Sequence, residues 1–186
     1  MSRLPGLLFA TFLSACGSLQ NIGQKPAPAA LFDLGPPTAA PAPAPAAALE
    51  LSLLDLSAPS WLAGTGIAYR LAYADAFRRE IYRDSRWAAP PAALLVERLR
   101  QRAAAGRSAT AKPVLMRLEL EEFSQSFSGP TQATVTVRLR AWCGDAQMRV
   151  FEVTRPAASA DAAGAVRGLS AASDALIDEL LAWAVQ

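Results

Sequence analysis

The residues able to do chemistry are few. The chain of 186 residues has no His and only two Cys, Cys16 and Cys143. Without His, the commonest general base and metal ligand near neutral pH is missing. Ser, Asp and Glu are present, but there is no Gly-x-Ser-x-Gly elbow, and no spacing of paired carboxylates stands out. These residues predict no catalytic site, no metal site and no cofactor. Two thiols remain. Cys143 shares the parity of Leu139 and Ala141 on a strand-like segment, so it reads as a buried, inert thiol. Cys16 stands in a different context. Arg3 supplies a small positive charge, an apolar run extends from Leu4 to Leu13, broken by Pro5, Gly6 and Thr11, and Leu13-Ser14-Ala15-Cys16-Gly17 follows. The run is too short to span a bilayer, which takes a helix of roughly 20 apolar residues. It fits the hydrophobic region of a secretory signal.

Leu13-Ser14-Ala15-Cys16 resembles the lipobox of bacterial lipoproteins. The resemblance implies that residues 1–15 are a signal peptide and that the Cys16 thiol, as nucleophile, receives a diacylglycerol. The peptide bond before it is then cut, and the new amino group takes a further acyl chain such as palmitate. Two or more chains give stable attachment, at about 0.8 kcal/mol per buried CH₂, so the protein would stay on a membrane with no transmembrane helix. Gly17 stands where an Asp would resemble an inner-membrane retention signal, which favours the outer membrane, facing the periplasm. With Cys16 lipidated, Cys143 has no thiol to pair with inside the chain, and a Cys-rich metal site is excluded too.

These groups need elements to position them. Residues 16–30 read as the lipidated N-terminus and a flexible tether, able to hold a domain about 45 Å from the bilayer at ~3.1 Å per extended residue. Residues 31–186 form one domain by length, with a Pro/Ala-rich loop at 36–48 whose Pro41–Ala48 tract is of low complexity. A formal net charge of +2 is too balanced to argue for nucleic acid. Leu31–Leu34 is a short strand candidate. Alternation predicts a strand at Leu49–Leu56, a single helical turn at Trp61-Leu62 capped by Ser60, and a strand carrying Ile67, Tyr69, Leu71 and Tyr73 on its core face. After an Ala74-Asp75 turn, Phe77–Tyr82 returns as a hairpin arm, with helix as the competing reading. Pro90-Pro91 opens a helix ended by Gly106, with Ala92, Leu95, Val96, Leu99 and Ala103 inward and Glu97, Arg98, Arg100 and Gln101 outward. Two long strands follow. The first puts Val114, Met116, Leu118 and Leu120 on one face, with Arg117, Glu119 and Glu121 on the other; the second puts Val135, Val137, Leu139 and Ala141 inward. A third spans Met148–Val153. Ser159, as N-cap, begins a long helix to Trp183. The expected fold class is α+β: a two-layer sandwich of a mostly antiparallel sheet with two main helices packed on one face.

Taken in order, several segments resemble the ABC-type transport auxiliary lipoprotein family, the PqiC-like proteins. They are the lipobox; Phe32-Asp33-Leu34-Gly35; Ile67-Ala68-Tyr69-Arg70-Leu71; and Tyr82-Arg83-Asp84-Ser85-Arg86-Trp87-Ala88-Ala89-Pro90. Leu120-Glu121-Glu122-Phe123-Ser124-Gln125-Ser126-Phe127 and Asp161-Ala162-Ala163-Gly164-Ala165-Val166 follow, with Trp183 near the end. The resemblance implies a partner: the MCE-domain protein of an ABC transport system that moves phospholipid or other hydrophobic molecules between inner and outer membranes. It also implies assembly into a homo-oligomeric ring, and offers no catalytic residue to carry over. The alternatives are a lipopolysaccharide-assembly type of lipoprotein that partners an outer-membrane β-barrel, and a lipid carrier with an apolar cavity between sheet and helices. Candidate partner contacts are Trp61, Trp87, Arg83 and Arg86. For Trp87 the competing reading is a plug where hairpin meets helix. For the cluster of Arg78, Arg79, Arg83 and Arg86, the options are a phospholipid headgroup, an acidic partner or a plain solvated face.

Overall fold

The computed structural model describes residues 28–37, 49–105, 112–144 and 147–184. They fold into an open seven-stranded sheet covered on one face by two helices. The strands are β1 (Ala30–Phe32), β2 (Leu49–Ser57), β3 (Gly66–Leu71), β4 (Glu80–Trp87), β5 (Lys112–Gly129), β6 (Gln132–Cys143) and β7 (Gln147–Pro156); the helices are α1 (Pro91–Ala105) and α2 (Ala162–Ala184). A 3₁₀ turn at Ser60–Leu62 joins β2 to β3. It starts at Ser60 and is not capped by it: the Leu62 N–H donates to the Pro59 carbonyl at 2.8 Å, and no side chain caps the turn. No helix among the described residues is long and apolar enough to cross a membrane.

The sheet order is β1-β4-β3-β5-β6-β7, with β2 beside β5. The longest ladders, β5–β6 and β6–β7, are antiparallel, as is the β3–β4 hairpin. The connections β1–β4, β2–β5 and β3–β5 are parallel. One edge of the 18-residue β5 serves two strands: β2 takes residues 112–119 and β3 takes residues 125–127.

That sharing needs β5 to bend, and the sequence of β5 shows where. Met116, Leu118 and Leu120 are buried on even numbers, whereas Phe123, Gln125 and Phe127 are buried on odd numbers. The phase changes at a bulge between Leu120 and Glu122, where Glu121 is the extra residue opposite β6. A strict alternation through Glu121 would have turned Phe123 toward water. Arg138 Nε holds the Glu121 carboxylate at 2.8 Å, and Arg140 binds its other oxygen.

The layer between sheet and helices is filled. Val135, Val137, Leu139 and Ala141 of β6 and the buried β5 residues meet Leu169, Ala172, Leu176, Ile177 and Leu180 of α2, with Leu95 and Leu99 from α1. Helix α2 crosses β5, β6 and β7, and α1 lies between α2 and β2. The sequence places Arg98 outward; the structure buries it at 3% exposure. Its Nη1 donates to Asp174 Oδ1 at 2.6 Å, and Arg102 reaches Asp174 at 3.3 Å and Asp178 at 3.4 Å. The i, i+4 pair Arg98/Arg102 thus meets the i, i+4 pair Asp174/Asp178 across the helix interface. Asp178 has its pKa raised by burial, against the pull of Arg102.

Tyr73 does not share the core face of β3. The strand ends at Leu71, the Ala74 and Asp75 N–H groups both donate to the Leu71 carbonyl at 2.9 Å, and Tyr73 lies in the resulting turn, half exposed. Tyr69 is partly buried, its ring 4.5 Å from that of Tyr82. Cys143 ends β6 half-buried.

Candidate functional site

The N-terminal strap comes first, because any tether must enter through it. β1 adds to β4 in parallel, Phe32 opposite Trp87, and the Ala88 N–H donates to the Phe32 carbonyl at 2.6 Å. Beyond β1 the chain turns at Gly35, whose φ of 64° is a left-handed conformation that glycine adopts without a Cβ penalty. Asp33 Oδ1 accepts the Gly35 N–H at 2.7 Å. Arg98 Nη2 then donates to the carbonyls of Leu34 at 2.8 Å and Gly35 at 2.5 Å, and the Ser170 hydroxyl donates to Leu34 as well. Leu34 is buried below. The Phe32-Asp33-Leu34-Gly35 segment is therefore a latch of strap onto helices. Between it and α2 runs an open cleft of about 570 Å³, bordered by Phe32, Pro36, Ala88, Val166 and Arg167.

The other segments singled out in the sequence are structural in the same way. Tyr82 Oη donates to Gln125 Oε1 at 2.6 Å, and Gln125 Nε2 donates to the Ser159 carbonyl at 3.2 Å, so a fully buried Gln ties β4 and β5 to the start of α2. Burial, with the charges of Tyr69 and Asp161, pushes the Tyr82 phenol up to about 12. Helix α2 is capped by Asp161, where sequence reasoning favours Ser159: Asp161 Oδ1 accepts the Gly164 N–H at 2.7 Å, and the Ser159 hydroxyl donates to the same carboxylate oxygen. Those bonds, led by that from Ser159, hold the Asp161 carboxyl below its usual range. A Cβ at Gly164 would lie 2.0 Å from the Ser159 carbonyl oxygen.

The candidate contact residues do not form one cluster. Cys16 lies outside the described residues. Trp87 is in the core at 1% exposure, its ring edge-on to Phe123 at 5.5 Å. A side chain so enclosed has no surface to offer a partner, so packing accounts for it. Trp61 is half-buried beneath Arg79, whose guanidinium carbon sits 3.5 Å from the ring centroid. Arg79 also grips Glu122 through both oxygens, at 2.7 and 3.1 Å. Burial alone would raise the Glu122 pKa, but Arg79 and the Ser124 hydroxyl outweigh it and the carboxyl ends lowered. Arg83 and Arg86 lie exposed on β4; Arg83 approaches Asp84 at 3.9 Å.

Sequence reasoning missed the hairpin tip. Phe77, expected to start a strand, lies in the turn at 97% exposure, near Tyr73 in the chain. A second set of exposed apolar residues, Leu115, Met148 and Val150, lies at the opposite end of the sheet. The signal for the first was the Arg78-Arg79 pair directly after a lone aromatic next to a turn.

Fold and surface together define a small two-layer α+β domain whose buried polar groups are spent on tying strap, sheet and helices into one body. Its family follows from comparison: the chain belongs to the ABC-type transport auxiliary lipoprotein component family, whose model matches residues 32–180. The fold is similar to that of a Xanthomonas campestris protein of the DUF330 family, known from its crystal structure, at a TM-score of 0.69 and 22% identity, covering 83% of this chain and 94% of that one. A second crystal structure, of an uncharacterized protein, aligns at a TM-score of 0.60 and 15% identity over 84% of this chain and 98% of that one. No curated protein matches.

Proposed function

We propose that this protein is a membrane-anchored accessory of an ABC transport system with an MCE-domain subunit, moving phospholipid or another hydrophobic molecule between the inner and outer membranes. It acts by binding and positioning, without catalysis. The observation that carries the reading is the family match over residues 32–180 directly downstream of the Leu13-Ser14-Ala15-Cys16 motif. Residues 1–15 leave as a signal peptide, Cys16 carries the lipid, and residues 16–30 tether the domain on the periplasmic face of the outer membrane. Copies of the domain assemble into a ring around the transport partner. The filled layer between α2 and the sheet argues against a carrier that encloses its cargo there.

Cys16→Ala tests this directly. The expected result is a folded domain that leaves the membrane fraction and fails to restore transport in cells lacking the native protein. Full restoration at normal expression would show that anchoring is not part of the function.

A further inference from the structure

We propose that the tip of the β3–β4 hairpin is a second membrane contact, a small wedge that docks on an anionic phospholipid surface. It rests on the lipid-anchored reading above and adds to it a face and an orientation.

The tip combines the two features such a surface requires. Phe77 is 97% exposed and Tyr73 50%, and Ile81, just beyond the turn, is exposed too. Single exposed apolar residues are ordinary. Three within nine residues at one turn, two of them aromatic, make an apolar body suited to the headgroup boundary. Cations stand next to it: the Arg78 side chain is 69% exposed and that of Arg83 90%. Acidic groups are present as well. Asp75 Oδ1 accepts the Phe77 N–H at 2.9 Å, Glu80 is occupied by Arg78 at 2.9 Å and by the Tyr69 hydroxyl at 2.9 Å, and Asp84 faces Arg83. Residues 70–86 carry five Arg against three carboxylates; Glu122 of β5 binds Arg79, and one positive charge remains in surplus.

The projection of Phe77 is built rather than incidental. The turn is pinned by the Ala74 and Asp75 bonds to Leu71, by the Tyr73 N–H to the Phe127 carbonyl at 3.3 Å, and by the Asp75 side chain under Phe77. The ring is thus held in water on a short, braced loop, which lowers the ordering cost of docking.

Topology says which surface the tip meets. β1 runs parallel to β4, with Ala30 opposite Ser85. The chain therefore enters the sheet from the end at which β4 begins, which is the hairpin-tip end. From Ser85 to Glu80 the hairpin continues in that direction for about 17 Å, with the turn bearing Phe77 beyond it. The end of the domain from which the tether leaves and the end that carries exposed aromatics and arginines are the same. The tether, at most about 45 Å long, leaves this end free to reach that bilayer.

The test uses the full lipidated chain reconstituted into vesicles. A Phe77→Trp variant is compared with the native chain, in vesicles of phosphatidylglycerol with phosphatidylcholine and in vesicles of phosphatidylcholine alone. Co-flotation reports the anchor, and acrylamide quenching of the added Trp reports the tip. Both preparations are expected to float, and the added Trp to be shielded from acrylamide only where phosphatidylglycerol is present. Arg78→Ala and Arg83→Ala should each weaken the shielded state about fivefold, the usual worth of an Arg at an anionic surface. Vesicles that carry the protein while the added Trp stays equally open to acrylamide on both would overturn the docking and leave the anchor standing. So would shielding that appears only when the transport partner is added, which would make the tip a protein contact. Failure to float would overturn the anchored reading and, with it, this proposal.

Discussion

Gly164→Ala pits local helix propensity against the structure, and the two predict opposite signs. Gly164 is the third residue of α2. By propensity alone, replacing Gly with Ala inside a helix stabilises by about 1 kcal/mol. In the folded chain the new Cβ would sit 2.0 Å from the Ser159 carbonyl oxygen and 2.5 Å from the Ser159 nitrogen, both backbone atoms. The segment at 159–161 must then move. It is fixed by Gln125 Nε2 on the Ser159 carbonyl, by Arg167 on the Ser159 hydroxyl at 3.1 Å, and by the Asp161 cap on the Gly164 N–H. Losing the cap costs about 1 kcal/mol. Depriving the buried Gln125 amide of its acceptor costs about 1–3 kcal/mol more. Against the propensity gain, a net loss of about 1–3 kcal/mol remains, which for a domain of this size lowers Tm by roughly 2–4 °C per kcal/mol. Urea and thermal denaturation of residues 17–186 measure it. Asp161→Ala alone should cost about 1 kcal/mol, and the double variant should lose less than the sum, because both changes remove the same cap. Equal or higher stability for Gly164→Ala would refute the account of this segment.

Two further outcomes follow from buried polar groups. Arg98→Ala takes from Asp174, 2% exposed, its 2.6 Å partner while Arg102 stays at 3.3 Å, and it removes the Arg98 donor from the Leu34 carbonyl, which keeps Ser170, and from the Gly35 carbonyl; it should cost about 3 kcal/mol, with amide exchange speeding up first in residues 30–37. Alkaline pH should destabilise the fold through Tyr82. Its folded pKa of about 12 lies above the ordinary phenol value of 10.0, so from pH 10 upward the unfolded chain gives up a proton that the folded chain keeps, and stability falls until about pH 12. Tyr82→Phe should flatten that part of the pH profile, as read by denaturation midpoints.

Much of the fold was legible because the long strands obey a period of two. β6 keeps one parity from Val135 to Ala141, and α1 begins at Pro91, in the Pro pair that marks its start, while Gly106 lies outside the described residues. What escaped notice lies where one local pattern serves two purposes. Leu120-Glu121-Glu122-Phe123 reads as an interrupted alternation, yet the interruption is the bulge that lets β5 serve both β2 and β3. Arg98 has the charge of a surface residue, and only the matching Asp174 and Asp178, some 75 residues away, reveal its buried position. Ser159 and Asp161 compete as caps; Gln125 of β5 holds the Ser159 carbonyl, and Asp161 accepts the Gly164 N–H. The segments that carry the family resemblance, Phe32–Gly35, Leu120–Phe127 and Asp161–Val166, turn out to secure the scaffold. They identify the fold better than they locate a contact. Phe77 could not be placed from sequence because its exposure depends on the turn beginning at Leu71 and not at Tyr73.

The central claim is partnership with an MCE-domain transporter at a membrane. The most direct measurement is affinity capture of the tagged, lipidated protein from solubilised cell envelopes after mild cross-linking, with the captured proteins identified by mass spectrometry. The account predicts that the MCE-domain subunit of an ABC system is recovered with the native protein, and much less of it with Cys16→Ala. Recovery of an outer-membrane β-barrel with no MCE-domain protein would contradict it.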